Sequence, residues 1–210
     1  MQIPGVLEMK MVEHYYTEKQ RSPFKPVKIR FRVAGIEFDL YTAGGVFSPK
    51  KLDNGSRLLI ESAILKDGWN VLDFGCGYGV VGIALKKIRP GVDVVMSDVN
   101  SRAVKLSRMN AKLNRLDIPV FQGDIFSNKQ LLGMMFDAIL LNPPQTAGKD
   151  VCFRMIDEAK VHLVAGGLLQ IVARSQKGGK QLSKKMEETF GNVRDVAKGS
   201  GFRVYASENK

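Results

Sequence analysis

The sequence predicts an α/β fold. The expected architecture is a mostly parallel seven-stranded sheet with helices on both faces, an antiparallel hairpin at the C-terminal edge, and a small N-terminal β-hairpin extension. Three observations carry this. From about residue 69, short apolar strands alternate with amphipathic helical stretches. A strand running into Asp73 is followed by glycines at 75, 77 and 79 and then a helical pattern. Before that region, two period-two strands flank Ala34-Gly35. Residues 1–55 are therefore assigned to the extension and 56–210 to the main domain.

Composition bounds the rest. The 210 residues are 44% hydrophobic and 25% charged, enough for one full core. No long apolar run suits a membrane span, and Glu8, Glu13 and Glu18 interrupt any signal-peptide pattern. The two cysteines, Cys76 and Cys152, and the two histidines are isolated, so no metal site and a reducing cytoplasm are expected. The net charge of +11 favours a polyanionic partner, nucleic acid first.

In chain order, residues 1–26 lack periodicity but hold His14-Tyr15-Tyr16, where Tyr16 is a candidate for stacking on a base. Val27–Val33 alternates apolar with basic residues, and Ile36–Tyr41 apolar with acidic ones, so opposite charges face across a hairpin. Gly44-Gly45-Val46-Phe47 is a glycine-rich loop whose lone Phe47 is placed to roof a ligand. Ser56 is read as the cap of a helix over 57–65. Strand 69–73 leads through the glycine loop into helix 80–88. Strand 93–97 ends in Asp98, and helix 103–113 follows. Strand 119–122 precedes Asp124. Strand 136–141 ends in Asn142-Pro143-Pro144, followed by helix 152–163. Strand 167–173 precedes a lysine-rich helix ending at Phe190, and strands 193–197 and 202–206 form the last hairpin.

Ligands of open α/β sheets lie beyond the carboxyl ends of the strands. Each of the first four strands of this sheet ends in a group that a ligand can use. Gly75, Gly77 and Gly79 bare the backbone around Cys76, since a Cβ would obstruct close approach. Asp98 follows the loop by about 20 residues, the spacing at which a carboxylate meets ribose hydroxyls. Asp124 can accept from an adenine amino group, with Val99 and Ile125 on either side of the ring. In Asn142-Pro143-Pro144 the prolines remove two donors and fix the chain. The Asn142 side chain and an outward carbonyl then make two rigid acceptors, suited to a planar NH2 group. Holding both N–H bonds turns the nitrogen lone pair away from them, so positioning rather than a strong base is the expected contribution.

Asp73-Phe74-Gly75-Cys76-Gly77-Tyr78-Gly79 resembles motif I of the class I S-adenosylmethionine-dependent methyltransferases, and the fold is thus expected to be Rossmann-like. Asn142-Pro143-Pro144 resembles the Asn/Asp-Pro-Pro class of amino methyltransferases, whose next residue is usually aromatic. Here it is Gln145, so Phe47 or Tyr16 becomes the candidate stacking ring. About residues 12 to 207 are similar to the small-domain ribosomal small-subunit RNA guanine-N2 methyltransferases. The added matches are His14-Tyr15-Tyr16, Gly45-Val46-Phe47-Ser48, Leu52 to Leu59, Ala147-Gly148-Lys149 and Gly191-Asn192-Val193 with Arg203.

The resemblance implies S-adenosyl-L-methionine as cofactor, held by Phe47, Asp73, Gly75, Cys76, Gly77, Gly79, Asp98, Val99, Asp124, Ile125 and Asn142. It implies Asn142, Pro143 and Pro144 as the catalytic tripeptide, and small-subunit ribosomal RNA or a ribosomal subunit as partner, met by a monomer or homodimer. Tyr16, Gln145, Lys149 and Arg174 are candidate RNA contacts, with Arg154, Lys177 and Lys180 further basic residues near the mouth. Transfer RNA, DNA or a protein glutamine are alternative substrates, and a non-catalytic RNA-binding module or a nicotinamide oxidoreductase are alternative functions.

Overall fold

Opposite charges set the register of the first hairpin. β1 (Val27–Val33) pairs antiparallel with β2 (Ile36–Thr42), placing Arg30 opposite Asp39 and Arg32 opposite Glu37. Arg30 and Lys28 both bond the Asp39 carboxylate, which they hold well below the usual carboxylate range. Ala34 and Gly35 both take positive φ, the conformation that a two-residue hairpin turn requires. The computed structural model describes residues 18, 23–46, 48, 52–123, 128–129, 131–144, 147–176 and 178–210.

The main sheet has seven strands in the order β5-β4-β3-β6-β7-β9-β8. They are β3 (Asn70–Phe74), β4 (Asp93–Asp98), β5 (Val120–Gln122), β6 (Phe136–Leu141), β7 (Leu163–Arg174), β8 (Arg194–Gly199) and β9 (Phe202–Glu208). The first five are parallel, whereas β9 runs antiparallel to both β7 and β8. The helices are α1 (Asn54–Ser62), α2 (Val80–Ile88), α3 (Ser101–Leu113), α4 (Lys149–Val161) and α5 (Gly179–Phe190).

Alternate strand residues feed separate cores, as the two-residue pleat dictates. Val71 and Leu140 join one core with α1, α2 and α3, while Leu72, Phe74 and Ile139 join another with α4 and α5. Val33, Phe38 and Leu40 of the hairpin are buried in the first core. Asn110 of α3 fixes them there. Its Oδ1 accepts the Tyr41 amide at 2.6 Å, and its Nδ2 donates to the Tyr41 and Tyr78 carbonyls at 2.8 Å each. One buried side chain thus joins the hairpin to the glycine loop.

Several boundaries differ from the sequence expectation. Ser56 is not the cap of α1. Asp53 is, its carboxylate accepting from Gly55 N and Ser56 N, and the helix starts earlier, at Asn54. The Asp53 carboxylate satisfies two otherwise orphaned helix amides at once, leaving Ser56 inside the first turn. Helix α3 begins at Ser101 because Asn100 caps it, and α4 begins at Lys149, after Gly148. Strand β7 begins at Leu163, before Gly166-Gly167, because a register shift between Phe136 and Ala138 of β6 absorbs the glycines without ending the ladder.

Among the described residues no helix is long and apolar enough to cross a membrane. Nor is any group of three or more His, Cys, Asp or Glu side chains placed to hold a metal.

Candidate active site

Strand order reverses between β3 and β6, which opens a crevice at their carboxyl ends. A cavity of about 230 Å³ lies there, lined among others by Asp73, Gly75, Gly77, Asp98, Val99 and Asn142. The groups at the ends of β3, β4 and β6 therefore converge on one space.

The glycine loop takes the strained backbone its sequence predicts. Gly77 has φ +59°, and a Cβ there would meet no atom within 4 Å, so it is the backbone conformation that calls for glycine. Four of the loop's amides are already engaged. Gly75 N and Cys76 N donate to the Ser97 carbonyl at 2.9 Å, and Gly79 N donates to the Cys76 carbonyl at 2.9 Å. Gly77 N donates to Asp98 Oδ2 at 2.8 Å. Behind them Asp73 Oδ2 accepts from Gly82 N at 2.8 Å, filling the first turn of α2 with a carboxylate. A pyrophosphate needs free amides at such a turn. This loop instead offers carboxylates and bare backbone, which suits a ligand carrying hydroxyls and positive charge.

Both carboxyl groups are held above their ordinary range. Burial pushes Asp73 up to about 7, outweighing the Gly82 hydrogen bond, with the Asp98 charge adding to the rise. Burial also pushes Asp98 up to about 6, against the lowering effect of the Asn100 and Gly77 amides. Asp98 lies half-buried on the cavity wall, and each of its oxygens accepts one backbone N–H at 2.8 Å. A carboxylate oxygen has two lone pairs, so each retains capacity for a further donor. The Cys76 thiol is pushed well up by burial and sits 3.4 Å from Ser107 Oγ, which donates to the Gly77 carbonyl. The Cys76 thiol is thereby kept neutral, and Cys76 lines the cavity with Gly75 and Gly77.

At the end of β6, Asn142 Nδ2 donates to Ser56 Oγ at 3.0 Å. This leaves the amide oxygen as the acceptor for the cavity. Ala147 N takes the Pro144 carbonyl at 2.7 Å, whereas among the described residues no donor meets the Pro143 carbonyl. Pro144 thus shapes the turn, and the two acceptors are Asn142 Oδ1 and Pro143 O.

Tyr16, Phe47, Asp124, Ile125, Gln145 and Lys177 lie outside the described residues, although Val46 and Gly123 beside them line the cavity. Lys149 opens α4 and Lys180 lies in the first turn of α5. Arg174 ends β7 with its guanidinium 5.2 Å over the Phe202 ring. Arg174 and Lys149 are exposed and are not among the lining residues, whereas Arg154 is. Arg154 reaches Glu158 at 3.2 Å, and Met155 between them also lines the cavity. Sequence reasoning missed Met155 and Glu158. Their helical spacing on α4 was the available signal. It also missed the site role of Ser56, whose type reads first as a cap. His162 lies away from the cavity at the C-terminus of α4, with Nδ1 3.1 Å from the Met134 carbonyl.

Residues 37–206 match the family model described as the methyltransferase small domain. The chain belongs to this family. It is 38% identical over 196 residues to an uncharacterized Bacillus subtilis protein, YbxB, covering 92% of this chain and 97% of that one. It is 35% identical over 174 residues to the ribosomal RNA small subunit methyltransferase C of Haemophilus influenzae, covering 81% of this chain and 51% of the relative. A solved structure of the Thermus thermophilus 16S rRNA N2 G1207 methyltransferase, in complex with AdoMet and guanosine, aligns with a TM-score of 0.76 at 25% identity. That alignment covers 90% of this chain and 52% of the other. The family member thus spans about half the length of these ribosomal RNA methyltransferases and nearly all of YbxB.

Proposed function

We propose that this chain is an S-adenosylmethionine-dependent N-methyltransferase acting in the cytoplasm on guanine N2 of small-subunit ribosomal RNA. Residues 56–210 form the methyltransferase domain, and the N-terminal extension within 1–55 buttresses it. The observation that carries the reading is the acceptor pair Asn142 Oδ1 and Pro143 O beside a cavity walled by Asp73 and Asp98. The small-subunit methyltransferase C relatives and the AdoMet and guanosine complex support the substrate class.

The cofactor's chemistry is an electrophilic methyl on a sulfonium. The glycine loop would cradle its methionine and ribose portion, with Asp73 the nearby buried carboxyl. Asp98 would accept from the ribose hydroxyls and Val99 would pack on the adenine, and the motif resemblance assigns Ile125 and Asp124 to the same ring. Asn142 and the Pro143 carbonyl accept the two N–H bonds of the target amine. A guanine amine is conjugated with its ring and is a weak nucleophile. Fixing both its protons orients the lone pair and spares the entropic cost of alignment. No strong base is needed, because the amine proton becomes acidic only once its nitrogen carries positive charge. Reaching this pocket requires the base to be unstacked. Lys149, Arg154 and Arg174 then hold flanking phosphates or bases.

The test is transfer of labelled methyl to naked small-subunit RNA, assembled subunits, transfer RNA and DNA, by wild type and Asn142→Ala. The expected result is label on guanine N2 of ribosomal RNA that the variant fails to deliver. Label confined to transfer RNA would move the substrate. No transfer together with no cofactor binding would overturn the reading.

A further inference from the structure

Val46 lines the cavity although it belongs to the N-terminal extension, in the loop between β2 and α1. It follows Gly44 and Gly45, which have no side chains with which to fix themselves and much backbone freedom to lose. The first turn of α3 holds them from outside. Asn100 Nδ2 donates to the Gly45 carbonyl at 3.0 Å, and Arg102 Nη1 donates to the Gly44 carbonyl at 2.6 Å. Between them, Ser101 donates to the Glu18 carbonyl from its amide at 3.0 Å and from its hydroxyl at 3.1 Å. Three consecutive residues thus hold the extension at two places separate in sequence.

The partners of Asn100 settle which way its amide points. Its Oδ1 accepts from the Arg102 amide at 2.9 Å and the Ala103 amide at 3.4 Å, groups that can only donate. Its Nδ2 meets a carbonyl, which can only accept. Asn100 is 0% exposed, and its own backbone N–H donates to Asp98 Oδ1 at 2.8 Å. One buried residue therefore joins the acid proposed to meet the ribose to the loop that carries Val46. Arg102 is buried as well, and a hydrogen bond from a charged donor is among the stronger ones. We infer that Asn100 and Arg102 are positioning residues for the cofactor. They hold Asp98 and Val46 as one wall, preformed for the adenosine half, so that binding need not order the loop.

The inference rests on the proposed cofactor site, and its first test is Asn100→Ser. Serine caps a helix about as well as asparagine. It keeps the backbone amide that meets Asp98, but its hydroxyl, engaged as the cap, is too short to reach Gly45. Calorimetric affinity for S-adenosylhomocysteine is expected to fall about fivefold to tenfold, the factor set by the net worth of one hydrogen bond. The KM for S-adenosylmethionine should rise by the same factor, with kcat at saturating cofactor kept within about twofold. 5′-Methylthioadenosine, which lacks the amino-acid end, should lose affinity equally. Arg102→Met should weaken binding in the same way, and Arg102→Lys, which keeps a charged donor, should recover most of the loss. This pair carries the test if Asn100→Ser does not fold. Unchanged affinity, or a loss that falls on kcat rather than KM, would overturn the positioning role.

A second readout needs neither cofactor nor turnover. A carbonyl carbon resonance moves upfield when its hydrogen-bond donor is lost. In Asn100→Ser the Gly45 carbonyl signal should move upfield and the Gly44 signal should move less. In Arg102→Met the order should reverse. A Gly45 signal that stays in place in Asn100→Ser would overturn the inference. Failure of wild type to bind S-adenosylhomocysteine would instead overturn the proposed reaction and with it the role in cofactor binding, while shifted carbonyl signals would still show that α3 holds the loop.

Discussion

Asp98 accepts the Gly77 amide at 2.8 Å, tying the end of β4 to the glycine loop at the end of β3. The bond forms part of the cavity wall, so the acid proposed to meet the ribose also holds the backbone of the cradle. Its carboxyl sits at about 6. Binding that requires the ionised acid is weakened by the fraction still protonated. That fraction is roughly nine-tenths at pH 5 and negligible at pH 8. Cofactor affinity is expected to rise about tenfold between pH 5 and 8 from this group alone. Calorimetric titration with S-adenosylhomocysteine across this range checks it. In Asp98→Asn the affinity should be weaker throughout, with the rise due to Asp98 lost and only that from Asp73 left.

The stability of the unliganded protein should respond in the opposite direction. Asp73 and Asp98 have folded values of about 7 and about 6, above the ordinary 3.8. A raised carboxyl binds its proton more tightly in the folded state. Its contribution is complete below the unfolded value and is lost as pH rises through the folded one. Tm at low salt should therefore fall from pH 5 to 8. Asp39 has a depressed value and acts with the opposite sign, but only near and below its ordinary 3.8. Asp73→Asn keeps an acceptor for Gly82 N while removing a buried charge. It should raise Tm at pH 8 and flatten the pH trend, yet weaken cofactor binding. A lowered Tm at pH 8 would contradict the assigned cause.

Much of this arrangement was legible because it is written in local patterns. Strand and helix periods gave the parallel sheet, and the charges of Lys28, Arg30 and Asp39 gave the hairpin pairing. Asp73, Asp98 and Asn142 announced themselves by standing at strand ends. What stayed hidden depends on contacts distant in sequence. Ser56 looks like a cap until Asp53 is seen to reach both amides. Asn110 looks like an ordinary polar helix residue, yet its partners are Tyr41 and Tyr78. Gly166-Gly167 reads as a break because a strand's tolerance for a bulge depends on the neighbouring β6. The engaged amides of Gly75, Cys76 and Gly77 were equally invisible, since their acceptors lie on β4 and its terminal acid.

Asn110 gives a direct test of how the hairpin supports the site. Asn110→Ala would leave the half-buried Tyr41 amide and carbonyl and the buried Tyr78 carbonyl without these partners. Each buried group left unsatisfied costs about 1–3 kcal/mol. A loss of about 3 kcal/mol or more is expected in urea unfolding, unless water enters the gap. Hydrogen exchange should quicken first in β2 and around Tyr78, which this side chain joins. A loss confined to α3 would show that the hairpin does not depend on the link.

Arg174 tests how the substrate is held outside the cavity. Arg174 ends β7, the strand paired with β6, and β6 leads into the Asn-Pro-Pro turn. Phe202 lies 5.2 Å below the Arg174 guanidinium and abuts Gly55, next to Ser56. A guanidinium fixed over a ring keeps a planar face on which a base can stack, and its N–H groups can meet phosphate. Arg174→Ala should raise the KM for RNA about tenfold or more, as the loss of one stacked base would, while leaving S-adenosylhomocysteine affinity unchanged. Arg174→Lys separates the two contributions. If phosphate attraction dominates, lysine preserves most of the affinity and the salt dependence. If stacking dominates, lysine behaves like alanine at high salt, where the charge term is weakest. An RNA KM unaffected by Arg174→Ala would place the flanking nucleotides elsewhere, with Lys149 and Arg154 on α4 the next residues to change.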